Sequence, residues 1–330
     1  MRFARTAEQQ DMATALRALL EPGATAARSW ADGDFAPWRR IRAQLGEMGA
    51  CGVVVPEELG GLGLGPVELV ACLEEIGRAG LPGPFVESLA VVPALLDGTG
   101  AAGRWLPGIA SGSTSATASF ARHVPHALDV EVADVLFRCD GERAVAVEHP
   151  EGVRQRSIDP TRFLSTVPGR GEDVPGAQVD RAFDMGALGC AAQLLGLGRR
   201  MLEMATEHAQ QRHQFGRPVG RFQAVKHHLA NAAVELEFAR PLLHGACLSE
   251  PHQQPRDISA AKVAAAEAAH TTARAALQVH GAIGYTAEHD LHLWLTKTAA
   301  LRRAWGSPAW HRRRIAAALE AGDVEPVGPR

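Results

Sequence analysis

The chain has 330 residues, a formal charge of −3 from 34 basic and 37 acidic side chains, and 46% hydrophobic residues. Both charge signs are interspersed, which excludes the one-signed field that a nucleic-acid binder presents. Five scattered cysteines (Cys51, Cys72, Cys139, Cys190 and Cys247) without CxxC spacing argue against a disulfide framework and a zinc site. With no apolar leader and no apolar run of membrane length, a cytoplasmic protein without a membrane partner is expected.

Apolar residues recur at helical spacing over 7–20, 37–49 and 67–80, so the first hundred or so residues read as helical. Between these helices VVVPEELGGLGLGP (53–66) is punctuated by Pro and Gly and reads as a loop. Its GLGLG lacks a preceding strand, the GxGxxG spacing and a βαβ setting, so it is not a phosphate cradle. The Ser/Thr-rich ASGSTSATASF then leads to ADVLFRCDGERAVAVEH, in which two apolar β-branched runs flank Asp140-Gly141. That dipeptide predicts a hairpin, because both residues tolerate the positive φ of a type I′ turn. The rest of 112–182 reads as irregular chain rather than as many further strands. From Phe183 onward four long Ala- and Leu-rich helices are predicted, at about 184–212, 221–248, 257–281 and 289–320, separated by FGRPVG, SEPHQQP and similar breakers. An antiparallel four-helix bundle is the economical arrangement. The expected fold is mainly α with a small β domain: an N-terminal helical domain (1–111), a reduced middle β domain (112–182) and a C-terminal four-helix bundle (183–330).

Three runs carry a family resemblance: RHQFGRPVGRFQAVKHHLA from Arg212, QVHGAIGYTAEHDLHLW from Gln278, and VPEELGGLGLGPVELVACLEEIGRA near the N-terminus. With the order helices, β region, helical bundle, they make the chain resemble the acyl-CoA dehydrogenases. The resemblance implies that Arg212, Phe215, Gln278 and Gly281, supported by Gln223, hold the adenosine-pyrophosphate half of an FAD belonging to a neighbouring subunit. The chemistry is apt: a guanidinium makes charge-assisted bonds to pyrophosphate oxygens, and glycine admits close backbone approach.

The family's reaction also needs a carboxylate that removes the α-proton of an acyl-CoA thioester while the β-hydrogen leaves as hydride to the flavin. The resemblance places that base at one of two positions. One is Trp305, followed by Gly306-Ser307; the other is Gly186, with Ala187 at the adjoining arginine position and Phe183-Asp184 as the family's Phe-Asp pair. Neither indole nor a bare α-carbon can accept that proton, so no catalytic residue is assigned. Residues 112–182 contain no tryptophan and no counterpart of the stretches that contact the flavin ring in full-length members.

This pattern is similar to the shortened partner subunits of bacterial α2β2 acyl-CoA dehydrogenases, which act on bulky thioesters, steroid side-chain CoA esters among them. It implies a non-catalytic subunit that completes the FAD site of a catalytic partner in a heterotetramer. Two other readings stand beside it. One is a self-sufficient homo-oligomeric dehydrogenase with its base relocated to Glu267 or Glu288; the other is a flavin-free helical scaffold. Glu288-His289-x-x-His292 beside His280 does not present three ligands of fixed geometry, so no metal is expected. His289-Asp290 is read as capping the last helix or meeting a neighbouring subunit, and Arg302, Arg303 and Arg312 to Arg314 as a solvated basic face.

Overall fold

A computed structural model describes residues 6–286 and 288–322. The chain begins with α1 (Ala7–Leu19), α2 (Gly23–Ala31), α3 (Ala36–Glu47) and α4 (Pro66–Ala79). A capping box opens α1, where the Thr6 hydroxyl accepts from the Gln9 amide at 3.2 Å and the Gln9 side chain accepts from the Thr6 amide at 3.0 Å. A π-helical turn, Glu87–Val91, runs directly into α5 (Val92–Leu96), and α6 (Ala102–Ala110) closes the region. Trp30, Trp38 and Phe85 pack edge-on at its centre.

The middle region contains two small sheets. Strands β1 (Ala116–Phe120), β2 (Ala127–Leu128), β3 (Val135–Asp140), β4 (Arg143–Glu148), β5 (Val153–Gln155), β6 (Leu164–Thr166) and β7 (Glu172–Asp173) pair in the orders β1-β3-β4-β7 and β2-β6-β5. β1 runs parallel to β3 and the remaining pairs in both sheets are antiparallel. Here the structure corrects the sequence reading twice. β5, β6 and β7 lie where irregular chain was expected; strands of two or three residues are too short to show a period-two pattern. The hairpin is present, but Asp140 pairs with Arg143, so its loop is Gly141-Glu142. Of those two only Gly141 has positive φ, +58°, which suits a type II′ turn rather than the type I′ turn expected.

The bundle comprises α7 (Val179–Gln211), a hairpin of β8 (His213–Gln214) and β9 (Arg217–Pro218), α8 (Gln223–Cys247), α9 (Gln254–His280), α10 (Leu291–Arg303) and α11 (Pro308–Glu320). α7 opens at Val179, earlier than predicted. The predicted fourth helix, 289–320, is two helices, broken at 304–307. Trp305 and Gly306 both have positive φ, +57° and +93°, and Ser307 caps α11 by accepting from the Trp310 amide at 3.2 Å. Gly-Ser-Pro at 306–308 is itself a helix stop followed by a cap and an N1 proline, a local signal that the Ala/Leu periodicity around it masks.

Buried ion pairs tie the N-terminal helices to the bundle. Glu74 and Glu75 of α4 are both 1% exposed; Arg199 of α7 reaches Glu74 at 2.6 Å and Glu75 at 3.2 Å, and Arg17 of α1 meets Glu75 at 3.0 Å. Burial pushes the Glu75 carboxyl up, but Arg17 and Arg199 outweigh it and hold it below the usual carboxylate range. All five cysteines are free and buried. No helix among the described residues is long and apolar enough to cross a membrane.

Candidate functional site

The two positions where the resemblance looks for a base, far apart in sequence, touch. Trp305 is 1% exposed and its indole lies against Gly186 of α7: a Cβ added to Gly186 would stand 2.3 Å from the six-membered ring of the indole. Only glycine leaves room for the ring there. Phe120 at the end of β1 and Phe183 of α7 pack around the same indole, with ring centroids 5.3 and 5.9 Å away. The space between β1, α7 and the 304–307 break is therefore filled by aromatic carbon.

The break is held from several sides. His311 Nε2 lies 2.9 Å from the Trp305 carbonyl oxygen and donates to it, while His311 Nδ1 lies 3.1 Å from the Ser259 hydroxyl. Burial pushes His311 down to about 4, so the ring is neutral near pH 7. The buried Lys262 Nζ donates to the Leu301 carbonyl at 3.0 Å, at the C-terminal end of α10, and burial lowers its pKa. Glu87, on the π-helical turn, is buried; burial raises its pKa, opposed first by the charge of Arg162 and least by the nearby Trp305 indole. Sequence reasoning singled out neither Glu87 nor Phe120. The one signal that could have flagged them is their place, in a π-helical turn and at a strand end, and neither feature is visible in residue spacing.

The residues assigned to the cofactor lie on the opposite kind of surface. Arg212 follows the last turn of α7, and its carbonyl accepts from the Val219 amide at 2.8 Å, closing the loop that carries the β8–β9 hairpin. Gln214 pairs with Arg217, which leaves Phe215-Gly216 as a two-residue turn with φ of +52° and +74°. A type I′ turn demands this, and phenylalanine is a poor choice for it. Phe215 is nevertheless 90% exposed, its ring edge-on to Phe222 with centroids 6.1 Å apart. Gln223 is the first residue of α8, whose terminal amide groups lack helical partners.

Gln278 is exposed on the last turns of α9, and Gly281 follows that helix with φ +64° and ψ −140°, a combination reached essentially only by glycine. The space around a Cβ at Gly281 is open. His208 of α7 stacks on His280 of α9, ring centroids 4.4 Å apart, which brings the ends of the two helices together. Arg212, Gln223 and Gln278 make no side-chain hydrogen bond or ion pair among the described residues. Free donors, an open glycine and an outward aromatic ring fit the phosphate and adenosine half of a dinucleotide. In the interior, Trp305, Phe120 and Phe183 fill the space beside Gly186.

The remaining candidates are engaged otherwise. Glu267 lies 3.1 Å from Arg302 and 3.3 Å from Arg312, an interhelical partner of two arginines. Glu288 is exposed beside Arg28 and His289. Of the His289-Asp290 pair it is His289 that caps α10, its Nδ1 accepting from the Leu291 amide at 3.1 Å, while the Asp290 carboxylate makes no capping bond and pairs with Arg28. Nor are the C-terminal arginines simply a solvated face, since Arg314 forms a two-pronged pair with Asp184, one contact at 3.0 Å. Among the described residues no group of three His, Cys, Asp or Glu side chains is placed to hold a metal ion.

Comparison with known proteins settles the family. Residues 6–113 match the acyl-CoA dehydrogenase N-terminal domain and residues 176–320 the acyl-CoA dehydrogenase C-terminal domain. The chain belongs to the acyl-CoA dehydrogenase family. It is 30% identical over 282 residues to the acyl-CoA dehydrogenase IpdE2 of Mycobacterium tuberculosis, a match covering 86% of each chain. The ChsE4-ChsE5 complex from Mycobacterium tuberculosis shares the fold, with a TM-score of 0.84 over the whole of both chains at 22% identity. So does Tcur3481-Tcur3483, described as a steroid acyl-CoA dehydrogenase, with a TM-score of 0.79 at 21% identity over 96% of this chain and all of that one. The family is one of FAD-dependent oxidoreductases.

Proposed function

We propose that this chain is the non-catalytic subunit of a heteromeric acyl-CoA dehydrogenase, and that it offers Arg212, Phe215, Gln223, Gln278 and Gly281 to an FAD held mainly by a catalytic partner. The observation that carries this reading is the indole of Trp305 lying on Gly186: one side chain fills both places where the family keeps its base. A carboxylate at position 186 would need the room that the Trp305 indole takes up. FAD, when bound, supplies the acceptor for the hydride that leaves the β-carbon of the thioester. This chain's part is to bind and orient. Arg212 neutralises pyrophosphate charge, Gly281 lets the backbone come close, Gln223 and Gln278 donate hydrogen bonds, and Phe215 presents an apolar face. The heteromeric neighbours described above support a bulky acyl group, a steroid side-chain CoA thioester among the candidates.

The test is flavin absorbance and native mass, first on the chain alone and then after co-expression with candidate partner chains. The expected result is a colourless chain alone and a yellow heterotetramer with one flavin per pair of unlike chains. A yellow homo-oligomer whose flavin is reduced by an acyl-CoA would overturn the proposal and make Glu267 and Glu288 the residues to substitute. A complex that assembles without flavin would make the chain a scaffold.

A further inference from the structure

Helix α8 is apolar on two faces. Ala232, Leu236, Ala239 and Leu243 are buried where it packs on α7 and α9. A second face, turned well away from the first, carries Val234, Phe238 and Leu242 four residues apart, so that they line up along the helix. These three are 50%, 75% and 48% exposed. A surface helix needs one apolar stripe to hold it to its own core, and a second one left in water marks a contact with another molecule.

The second stripe matches itself when reversed. A copy of α8 laid antiparallel with Phe238 on Phe238, about a two-fold axis, brings Val234 level with Leu242 and Leu242 level with Val234. Apolar side chains then meet at all three levels, along about 12 Å of helix. The charges favour the same direction. From Arg221 to His228 the chain carries Arg221 and Lys226 and no acid, whereas Glu235 to Glu250 holds three glutamates against Arg240. Antiparallel docking sets the basic end on the acidic end; parallel docking sets like on like. In this register Lys226 falls level with Glu250, and both are exposed, with no side-chain hydrogen bond or ion pair among the described residues. Glu237, nearer the axis, is held by its own Arg240 at 3.1 Å, so the two copies do not bring bare carboxylates together. Gln223 lies beyond the reach of the other α8, which ends at Cys247, so the first turn and the β8–β9 hairpin stay outside the contact.

We infer that the face of α8 formed by Val234, Phe238 and Leu242 docks on the same face of a second copy of this chain, antiparallel about a two-fold axis at Phe238. The contact needs neither flavin nor a catalytic partner, so its failure and that of the shared-cofactor reading are separate results. The test is sedimentation equilibrium of the purified full chain, without added flavin, over a concentration series. A reversible dimer is expected. Phe238→Glu enters a two-fold contact twice and should weaken the dimer about a thousandfold. Within one chain Phe238 is mostly in water, so this variant should keep the parent's circular dichroism. Phe238→Cys reads the register: the five native cysteines are buried, and helices in contact bring facing α-carbons within the span of a disulfide. Mild oxidation should link two copies of that variant, and should not link Leu248→Cys, whose exposed position lies far from the axis. Lys226→Glu and Glu250→Lys should each weaken the dimer about fivefold, and together restore it. A monomer throughout the series, a dimer indifferent to Phe238→Glu, Phe238→Cys that links no faster than Leu248→Cys, or no recovery in the double charge variant would each overturn the proposal.

Discussion

Trp305 and Phe215 are both large aromatic residues held at positive φ, +57° and +52°, yet one is 1% exposed and the other 90%. A non-glycine residue in this conformation costs on the order of 1–3 kcal/mol and persists only where its surroundings over-determine it. Around Trp305 the offset lies inside the chain, in the burial of an indole against Gly186, Phe120 and Phe183. Around Phe215 the chain offers only the edge of Phe222 and the demand of a two-residue turn. Strain that the fold itself does not offset points outward, to a surface that something else completes. That contrast separates a residue that the fold encloses from a residue that it leaves open.

The largest expected effect is at the closed site. Trp305→Ala removes a fully buried indole and should lower stability by about 3–5 kcal/mol, measured by denaturant unfolding. Gly186→Ala should cost about 1–3 kcal/mol, because the new methyl meets the indole. In the double variant the two losses should add to less than their sum, since Gly186 is tight only while the indole is there. Strict additivity would break the pairing on which the comparison rests.

Each region also carries a buried histidine pushed down to about 4 by burial: His311 on the Trp305 carbonyl and His280 beside Gly281. Both folded values lie below the unfolded value of about 6.5, so the unfolded chain takes up protons first and stability falls as pH drops from about 6.5 toward 4. Each can contribute at most about 3 kcal/mol to that loss. Replacing His311 with Gln should flatten the profile by its share, and a profile unchanged by that substitution would show that the ring does not hold the break.

At the outward site the effects appear in the complex rather than in the chain. Arg212→Ala should leave the melting temperature of the isolated chain unchanged and weaken flavin retention in the co-expressed enzyme by about 10- to 100-fold, the worth of a charge-assisted hydrogen bond. Phe215→Gly relieves backbone strain and should stabilise the chain by about 1 kcal/mol, while flavin retention by the complex falls by less than in Arg212→Ala. A stabilised variant with flavin retention intact would mean that Phe215 serves the hairpin alone, and the comparison with Trp305 would fail.

Much of this was legible in residue order. Helical periodicity gave most of the long helices, since an amphipathic stripe is a local property, and the middle β region announced itself through β-branched runs around a Gly-containing turn. The RxxFG and QxxG runs marked the outward residues, because a two-residue turn and a helix end need particular residue types at fixed local spacing. The sequence alone also determined that neither Trp305 nor Gly186 is an acid. What it could not determine is that these two positions are one place. Contact between α7 and the 304–307 break arises only when the bundle packs, and the fit of an indole to a missing side chain is a matter of volume, which no spacing encodes. The same holds for the turn at Gly141-Glu142, where the register of β3 against β4 decided by cross-strand pairing what the dipeptide left open. Local chemistry wrote the elements and the outward motifs; tertiary packing decided which face of the molecule is closed and which is left for another molecule.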